Sequence, residues 1–390
     1  MQRAKGARLV LFEMMQLPES TDVDVSRLSA IFKHTTLAYK FYWFLAILNA
    51  VKNDREGVIS YDDIALRMFA TVWYPLDFYK LSFGPKDGFE RIRSYVLEHA
   101  KIDNTRNAPH IFSQLSKQLS DKEMRIINDM TKKELIRYVP YHFLTPFLEG
   151  LIEKEPKYSR IAEVTNQCFN THPQQVIYRI INESIELNPK WVEYLRKHLY
   201  ILEGFTKWHL VQFLQKNNPN VAAVSEKLAK SVAERDFKQA KPFWKKYLVS
   251  HPELTCIYSG QSITVKNISL DHYIPFSYVA HDQIWNLIPT IAAVNSAKNN
   301  RLPDKNLYFD RYAKIQFDVF QFYATATEHD DQKRLLLDYT ILFRESTDTI
   351  QQGDFLWFRE QLRLAVEPQL QTACNMGFTA NFIYKNALKQ

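Results

Sequence analysis

The stretch that decides the fold is Ser269–Pro303, SLDHYIPFSYVAHDQIWNLIPTIAAVNSAKNNRLP. It carries an Asp-His pair, then a Trp-Asn pair, and then Asn, Lys and Arg at open spacing. A segment that only filled a core would not contain so many polar residues, because a buried polar group is costly unless it is hydrogen-bonded. The stretch is therefore a candidate site, and the rest of the chain must supply the core around it.

The composition bounds the class of protein. The chain has 390 residues, of which 46% are apolar and 14% aromatic, so it is a folded protein with room for more than one domain. Its formal net charge of +7 is compatible with a polyanionic partner such as nucleic acid. Its three cysteines, Cys168, Cys256 and Cys374, lie far apart, so we expect neither a disulfide framework nor a structural zinc site.

No segment has the pattern of a targeting or membrane sequence. The N-terminal apolar run is broken by Glu13 and lacks a small-residue cleavage site, which argues against a signal peptide. The longest apolar run, Phe41–Leu48, is far shorter than the ~20 residues that a membrane span needs. We therefore expect a cytoplasmic protein without a membrane partner, which agrees with its sparse cysteines.

The periodicity of apolar residues predicts helices on both sides of the decisive stretch. Val25–Val51 has helical spacing, Ser60 is placed to cap a following helix, and Asn188-Pro189 is typical of a helix start. The pattern is helical again from Asp304 onward. Between these blocks, residues 255–270 predict a β-hairpin that turns at 259–261.

The polar residues of the stretch match a known signature in type and order. Asp271-His272, Asn286, Asn295 and Lys298 resemble the motif of HNH nucleases, which have a ββα-metal fold. Their spacing is also similar to that in the HNH domain of RNA-guided CRISPR effector nucleases and in free-standing bacterial HNH-domain proteins. The resemblance covers about 255–303 and implies a phosphodiester hydrolase.

The resemblance implies a local fold and a division of the chain. The first strand would be Ile268–Ile274, the loop Pro275–Ile284, the second strand Trp285–Ile288 and the helix Thr290–Asn300. The expected fold class is mainly α with a small embedded ββα-metal (HNH) nuclease module. We expect a helical region 1–155, a helical and basic region 156–250, the nuclease module 251–304 and a C-terminal helical region 305–390.

The resemblance also implies a role for each residue of the motif. His272 would be the general base, and Asp271 and Asn295 would be oxygen ligands of Mg²⁺, for which Mn²⁺ can substitute. Asn286 would hold the histidine loop through backbone hydrogen bonds, and Lys298 would contact phosphate. Many HNH proteins carry two C-x-x-C pairs that bind zinc, and this sequence has none.

Other charged groups leave alternatives open. The basic segment 222–250, which includes Lys227, Lys245 and Lys246, is either a solvated helix face or a surface that tracks phosphates together with Arg301. Asp282 in the His281-Asp282 pair is either a loop cap or a contact to substrate or a second metal. The cluster 328–331 is expected to be a charged loop rather than a metal site.

The function expected from the resemblance is nicking or cleavage of DNA, with restriction or anti-phage defence as a fold-level analogy. Two alternatives stay open. The chain could be a subunit of a multi-protein complex whose latent nuclease is activated by a partner or a signal, or it could cleave RNA. A protein partner or a homo-oligomer is compatible with either.

Overall fold

The computed structural model describes residues 16–53, 57–102, 108–153, 156–228, 237–326 and 331–385. The chain forms two compact units. The first contains the described residues up to 219 and residues 224–228, and the second contains 220–223 and the described residues from 237 onward. The sequence-based boundaries at 155, 250 and 304 stay predictions.

The first unit is helical around a small sheet. Its helices are α1 (Val25–Ser29), α2 (Tyr39–Lys52), α3 (Tyr61–Trp73), α4 (Phe89–His99), α5 (Ala108–Gln118), α6 (Asp121–Thr131), α7 (Val139–Leu144), α8 (Tyr158–Thr171), α9 (Pro189–Lys197) and α10 (Leu199–Asn217). Its antiparallel sheet has the order β1-β3-β2, with β1 at Val58–Ser60, β2 at Tyr178–Ile181 and β3 at Ser184–Leu187. Shorter helical turns lie at Tyr74–Phe78, Lys132–Ile136, Thr145–Leu148 and Val224–Lys227.

The local signals of the first unit are confirmed at the helix starts. The Ser60 side chain accepts a hydrogen bond from the Asp63 amide at the start of α3, and Asn188 caps α9. Helix α2 is apolar nearly all round, and its aromatic residues are buried, as in a core helix. The three-stranded sheet was not predicted, because its strands are only three or four residues long and leave little periodicity.

The second unit packs helices around a strand pair. Its helices are α11 (Ala240–Ser250), α12 (Phe276–Val279), α13 (Ala292–Lys298), α14 (Lys305–Ala324), α15 (Leu337–Phe343), α16 (Thr347–Gln352) and α17 (Phe355–Asn375). Its strands β4 (Ile268–His272) and β5 (Leu287–Ile291) are antiparallel, and α13 follows β5 directly. Shorter helical turns lie at Ile284–Asn286 and Asp331–Leu336. Within the described residues of both units, no helix is long and apolar enough to cross a membrane.

The elements of the decisive stretch differ in their bounds from those expected. The first strand ends at His272 and the helix spans only Ala292–Lys298. Asn286 lies in a helical turn before β5 rather than in the strand. The predicted hairpin over 255–270 is present as a short turn, in which a bridge joins Thr255 and Ser262 and the Cys256 amide donates to the Gln261 carbonyl, whereas residues 268–270 pair with β5.

Two side chains of helix α14 donate hydrogen bonds to the backbone at and just before the start of β5. The buried Gln316 amide donates to the carbonyl oxygen of Leu287 at 2.8 Å, and the Tyr312 hydroxyl donates to the carbonyl oxygen of Trp285. The Tyr312 ring also stacks on Tyr273 with centroids 3.9 Å apart. These buried contacts tie the residues on both sides of Asn286 to one long helix.

We expect Gln316→Ala to lower the free energy of unfolding by about 1–3 kcal/mol, because it leaves the buried Leu287 carbonyl and the Tyr339 hydroxyl without their partner. Chemical denaturation measures the change. Gln371→Ala, on the exposed side of α17, is the matched control and should be near neutral. Equal stability of the two variants would contradict the bracing role of Gln316.

Candidate active site

Asp271 lies near the end of β4 and is only 3% exposed. One of its oxygens, Oδ2, accepts a hydrogen bond from the Tyr258 hydroxyl at 3.0 Å and lies 3.1 Å from Lys298 Nζ. Burial first, and then the charge of Asp271, raise the pKa of Tyr258 well above its usual value, so this hydroxyl stays a donor. The carboxylate is therefore contacted by a neutral donor and by a cation.

Lys298 is the cation of this pair and is fully buried. Its ammonium also donates to the carbonyl oxygen of His272 at 2.6 Å. This position differs from the expected one, since an ammonium enclosed by protein is not presented to a phosphate in this structure. Its contacts instead compensate Asp271 and fix the backbone of the next residue.

His272 has a different set of neighbours from Asp271. Its Nε2 lies 2.7 Å from Asp282 Oδ1, and its ring contacts those of Phe237 and Phe276. Consecutive strand residues point to opposite faces of a sheet, and the pairing of β4 with β5 continues through both Asp271 and His272. The carboxylate and the imidazole therefore lie on opposite faces of β4.

The Asp282 contact decides the tautomer of a neutral His272. A carboxylate accepts hydrogen bonds and does not donate them, so Nε2 carries the hydrogen and the lone pair lies on Nδ1. Sequence reasoning left Asp282 as a loop cap or a contact to substrate or metal, and missed this contact. The signal available was an acidic residue in the loop between the histidine and Asn286.

Asn286 joins the two ends of the loop that carries these residues. Its buried amide accepts from the Ile274 amide at 2.8 Å and donates to the Ile274 carbonyl at 2.9 Å. Its own carbonyl accepts from the Tyr273 amide at 2.8 Å. These are backbone hydrogen bonds of the kind that the resemblance implies for this residue.

Asn295 lies on α13 and is half-buried. Its Nδ2 donates to Ser269 Oγ and to the carbonyl oxygen of Leu270, both at 2.9 Å. These two bonds fix the amide plane, and among the described residues its Oδ1 accepts no hydrogen bond. An amide oxygen is thereby oriented beside the residue that precedes Asp271.

Two of these side chains are the kind that could hold a small divalent cation. Within the part of the chain that the structure describes, no three His, Cys, Asp or Glu side chains form a metal-binding group. Asp271 and Asn295 offer a carboxylate and an amide oxygen, which are ligands that Mg²⁺ prefers, and Mg²⁺ usually keeps several waters. The Asp271 carboxylate has about four lone-pair sites, so its bonds to Tyr258 and Lys298 leave capacity.

The residues expected to contact phosphate have other neighbours than the motif residues described above. Arg301 is exposed, donates to the Ala297 carbonyl and lies over the Phe382 ring at 4.5 Å, while Lys245 is exposed on α11 and Lys246 lies 5.9 Å from the centre of the Tyr323 ring. Lys227 is buried, so the basic segment is not exposed throughout. Residues 229–236 of that segment and 328–330 of the acidic cluster lie outside the described residues.

Comparison with known proteins identifies the class of this module. Residues 256–304 match the family model HNH_4, described as HNH endonuclease. The chain therefore contains an HNH endonuclease domain, which indicates nuclease activity and binding of nucleic acid. The comparisons with curated proteins and with solved structures gave no match.

We expect Lys298→Met to lower the free energy of unfolding by about 3–5 kcal/mol, because it leaves the Asp271 charge buried without its cation. Denaturation of the metal-free chain measures this. Lys305→Met removes a lysine from an exposed pair with Glu367 and should cost less than about 1 kcal/mol.

The double variant Asp271→Asn/Lys298→Met tests the cause of this loss. It removes both charges, so part of the stability lost in Lys298→Met should return. A Lys298→Met variant as stable as Lys305→Met would show that the buried pair contributes little.

Proposed function

We propose that the chain is a metal-dependent HNH endonuclease that nicks or cleaves DNA from a ββα-metal site on β4, β5 and α13. The observation that carries the proposal is the His272–Asp282 contact at 2.7 Å, one residue from the oxygen ligand Asp271, inside the segment that matches the HNH family model. A histidine paired with a carboxylate, next in sequence to a hard oxygen donor, has the chemistry needed to hydrolyse a phosphodiester.

His272 is the general base of the proposed reaction. Imidazole is the side chain best suited to take a proton near neutral pH, and here Nδ1 would take it from the attacking water. Asp282 holds the ring in this tautomer and stabilises the imidazolium that forms. Asn286 fixes the backbone that follows the histidine, so the ring keeps its place during the reaction.

Asp271 and Asn295 would hold Mg²⁺ or Mn²⁺, which when bound relieves charge on the phosphate and stabilises the leaving oxygen. Lys298 balances the charge of Asp271 and holds the His272 carbonyl, so it acts on both faces of β4 from within the core. In this proposal Lys298 is a positioning residue, and contact with phosphate falls to Arg301, Lys245 and Lys246.

The choice of DNA rests on the nuclease class and on the net positive charge of the chain. RNA is the alternative substrate, because such a site engages a phosphate rather than a base. One site cuts one strand, so a double-strand break would require a homo-oligomer or two successive nicks. A cytoplasmic role in restriction or anti-phage defence is an analogy from the family.

A second candidate function is a latent nuclease that a partner or a signal activates. The observation that favours it is burial, since Asp271 and His272 are each only 3% exposed. The aromatic rings of Phe237 and Phe276 flank the imidazole. A phosphodiester could reach His272 only after these side chains move.

We expect His272→Ala to lower the cleavage rate by at least about 10²-fold, because it removes the proton acceptor. The measurement is nicking of supercoiled plasmid with Mg²⁺, Mn²⁺ or EDTA, and the EDTA reaction should show no cleavage. His251→Ala removes a histidine that bonds to the Tyr247 carbonyl instead, and should cut as fast as the unmodified chain.

The outcomes of this experiment separate the two candidates. Cleavage lost in His272→Ala but kept in His251→Ala supports a self-sufficient nuclease. Equal rates in both variants would overturn the assignment of His272. No cleavage by the unmodified chain, on DNA or on RNA, would favour the latent nuclease.

We expect Asp282→Asn to lower kcat by about 10²-fold with little change in KM, because an asparagine can donate to Nε2 and stabilise the other tautomer. Steady-state kinetics on a short DNA duplex separates the two constants. Asp318→Asn, in an exposed pair with Lys314, is the matched control. An effect on KM alone would place Asp282 in substrate binding instead.

A further inference from the structure

The first unit contains a concave cavity of about 550 Å³ with a strongly basic lining. Four lining residues carry positive charge, namely Lys40, Lys86, Lys133 and Arg137, and a single one, Glu134, carries negative charge. Cavities that bind small molecules commonly have volumes of about 300–1,000 Å³. The size and the charge together are typical of a site for a small anion-bearing ligand.

The one lining carboxylate does not cancel this charge. Glu134 Oε1 is bound to Arg91 at 3.0 Å, and Arg91 is not part of the lining. Lys86, Lys133 and Arg137 are exposed, so their charged ends can adjust to a ligand. The cavity lining therefore has an excess of cations, and its one carboxylate is already paired with Arg91.

Lys40 is the lining cation whose ammonium bonds to backbone carbonyls. It lies in the first turn of α2, and its ammonium donates to the carbonyl oxygens of His34 at 3.2 Å and Ile31 at 3.5 Å. No carboxylate partner is present among the described residues. Burial lowers the pKa of Lys40 to about 8, because removal from water disfavours the charged form. An anion in the cavity would stabilise that form.

An aromatic ring stands beside these cations. Tyr138 lines the cavity and is 42% exposed. Its ring packs against Tyr158 with centroids 5.5 Å apart, and the Arg137 guanidinium lies 5.0 Å from its centre. An exposed ring that is supported by another ring can stack a planar base.

We propose that this cavity binds a nucleotide, with its phosphate held by Lys40, Lys133 and Arg137 and its base stacked on Tyr138. The site goes beyond the proposed nuclease function, since it lies in the first unit and uses none of the residues assigned to hydrolysis. Arginine and lysine recognise phosphate through charge-assisted hydrogen bonds. The concave shape favours a single nucleotide over a continuous strand.

The test is isothermal titration of the full chain with AMP, ATP, adenosine and inorganic phosphate. We expect saturable binding of at least one of the two nucleotides with one site per chain, weaker binding of phosphate and none of adenosine. Lys133→Gln/Arg137→Gln should weaken nucleotide binding by at least about tenfold. Tyr138→Ala should also weaken it, while Tyr138→Phe should not, because the phenylalanine ring still stacks.

The matched control is Lys117→Gln/Lys122→Gln, which removes the same charge from exposed positions of the first unit outside the cavity. Equal weakening by the control pair would mean attraction to overall charge and would overturn the proposal. So would no saturable binding of either nucleotide. A single-stranded oligonucleotide that binds more tightly than both nucleotides, with the same loss in the cavity variants, would replace the nucleotide by a polymer and also overturn it.

Discussion

The site depends on one buried ionic contact, between Asp271 and Lys298. Two charges removed from water cost more free energy than their attraction returns unless further hydrogen bonds satisfy them. Here the Tyr258 hydroxyl and the His272 carbonyl supply those bonds, at 3.0 and 2.6 Å. The pair therefore ties the segment before β4, the end of β4 and the end of α13 together, and it sets the backbone position from which the imidazole projects.

Strand β4 carries both the candidate metal ligand and the candidate base. Asp271 faces Lys298 and His272 faces Asp282, because neighbouring residues of a strand point to opposite faces. Asn286 closes the loop that follows His272. Helix α14 donates hydrogen bonds to the carbonyls of the residues on either side of Asn286. His272 and Asp271 are thus positioned by different neighbouring side chains. The backbone of β4 and Lys298 link these two sets of neighbours.

The sequence allowed the identity of the module to be predicted more closely than its contacts. The order of Asp271, His272, Asn286 and Asn295 was enough for the family, and helix starts such as Ser60 followed from local capping chemistry. The partners of these residues were not predictable, since Tyr258 and Asp282 meet the motif only through the fold. The burial of Lys298 was not predictable for the same reason, because lysine is usually solvated and only tertiary packing shows that this one is enclosed. The short sheet of the first unit and the single bridge at Thr255 likewise depend on tertiary partners rather than on periodicity.

The internal cation at Asp271 also bears on how the protein matures. Where acidic ligands face one another, the chain must wait for an ion before it can pack, and folding and loading become one event. Here the carboxylate is already balanced by an ammonium from the same chain, so the newly synthesised protein can complete its core before it meets any metal. Under the proposed function, metal binding is then a separate step that follows folding, because the core packs without the ion.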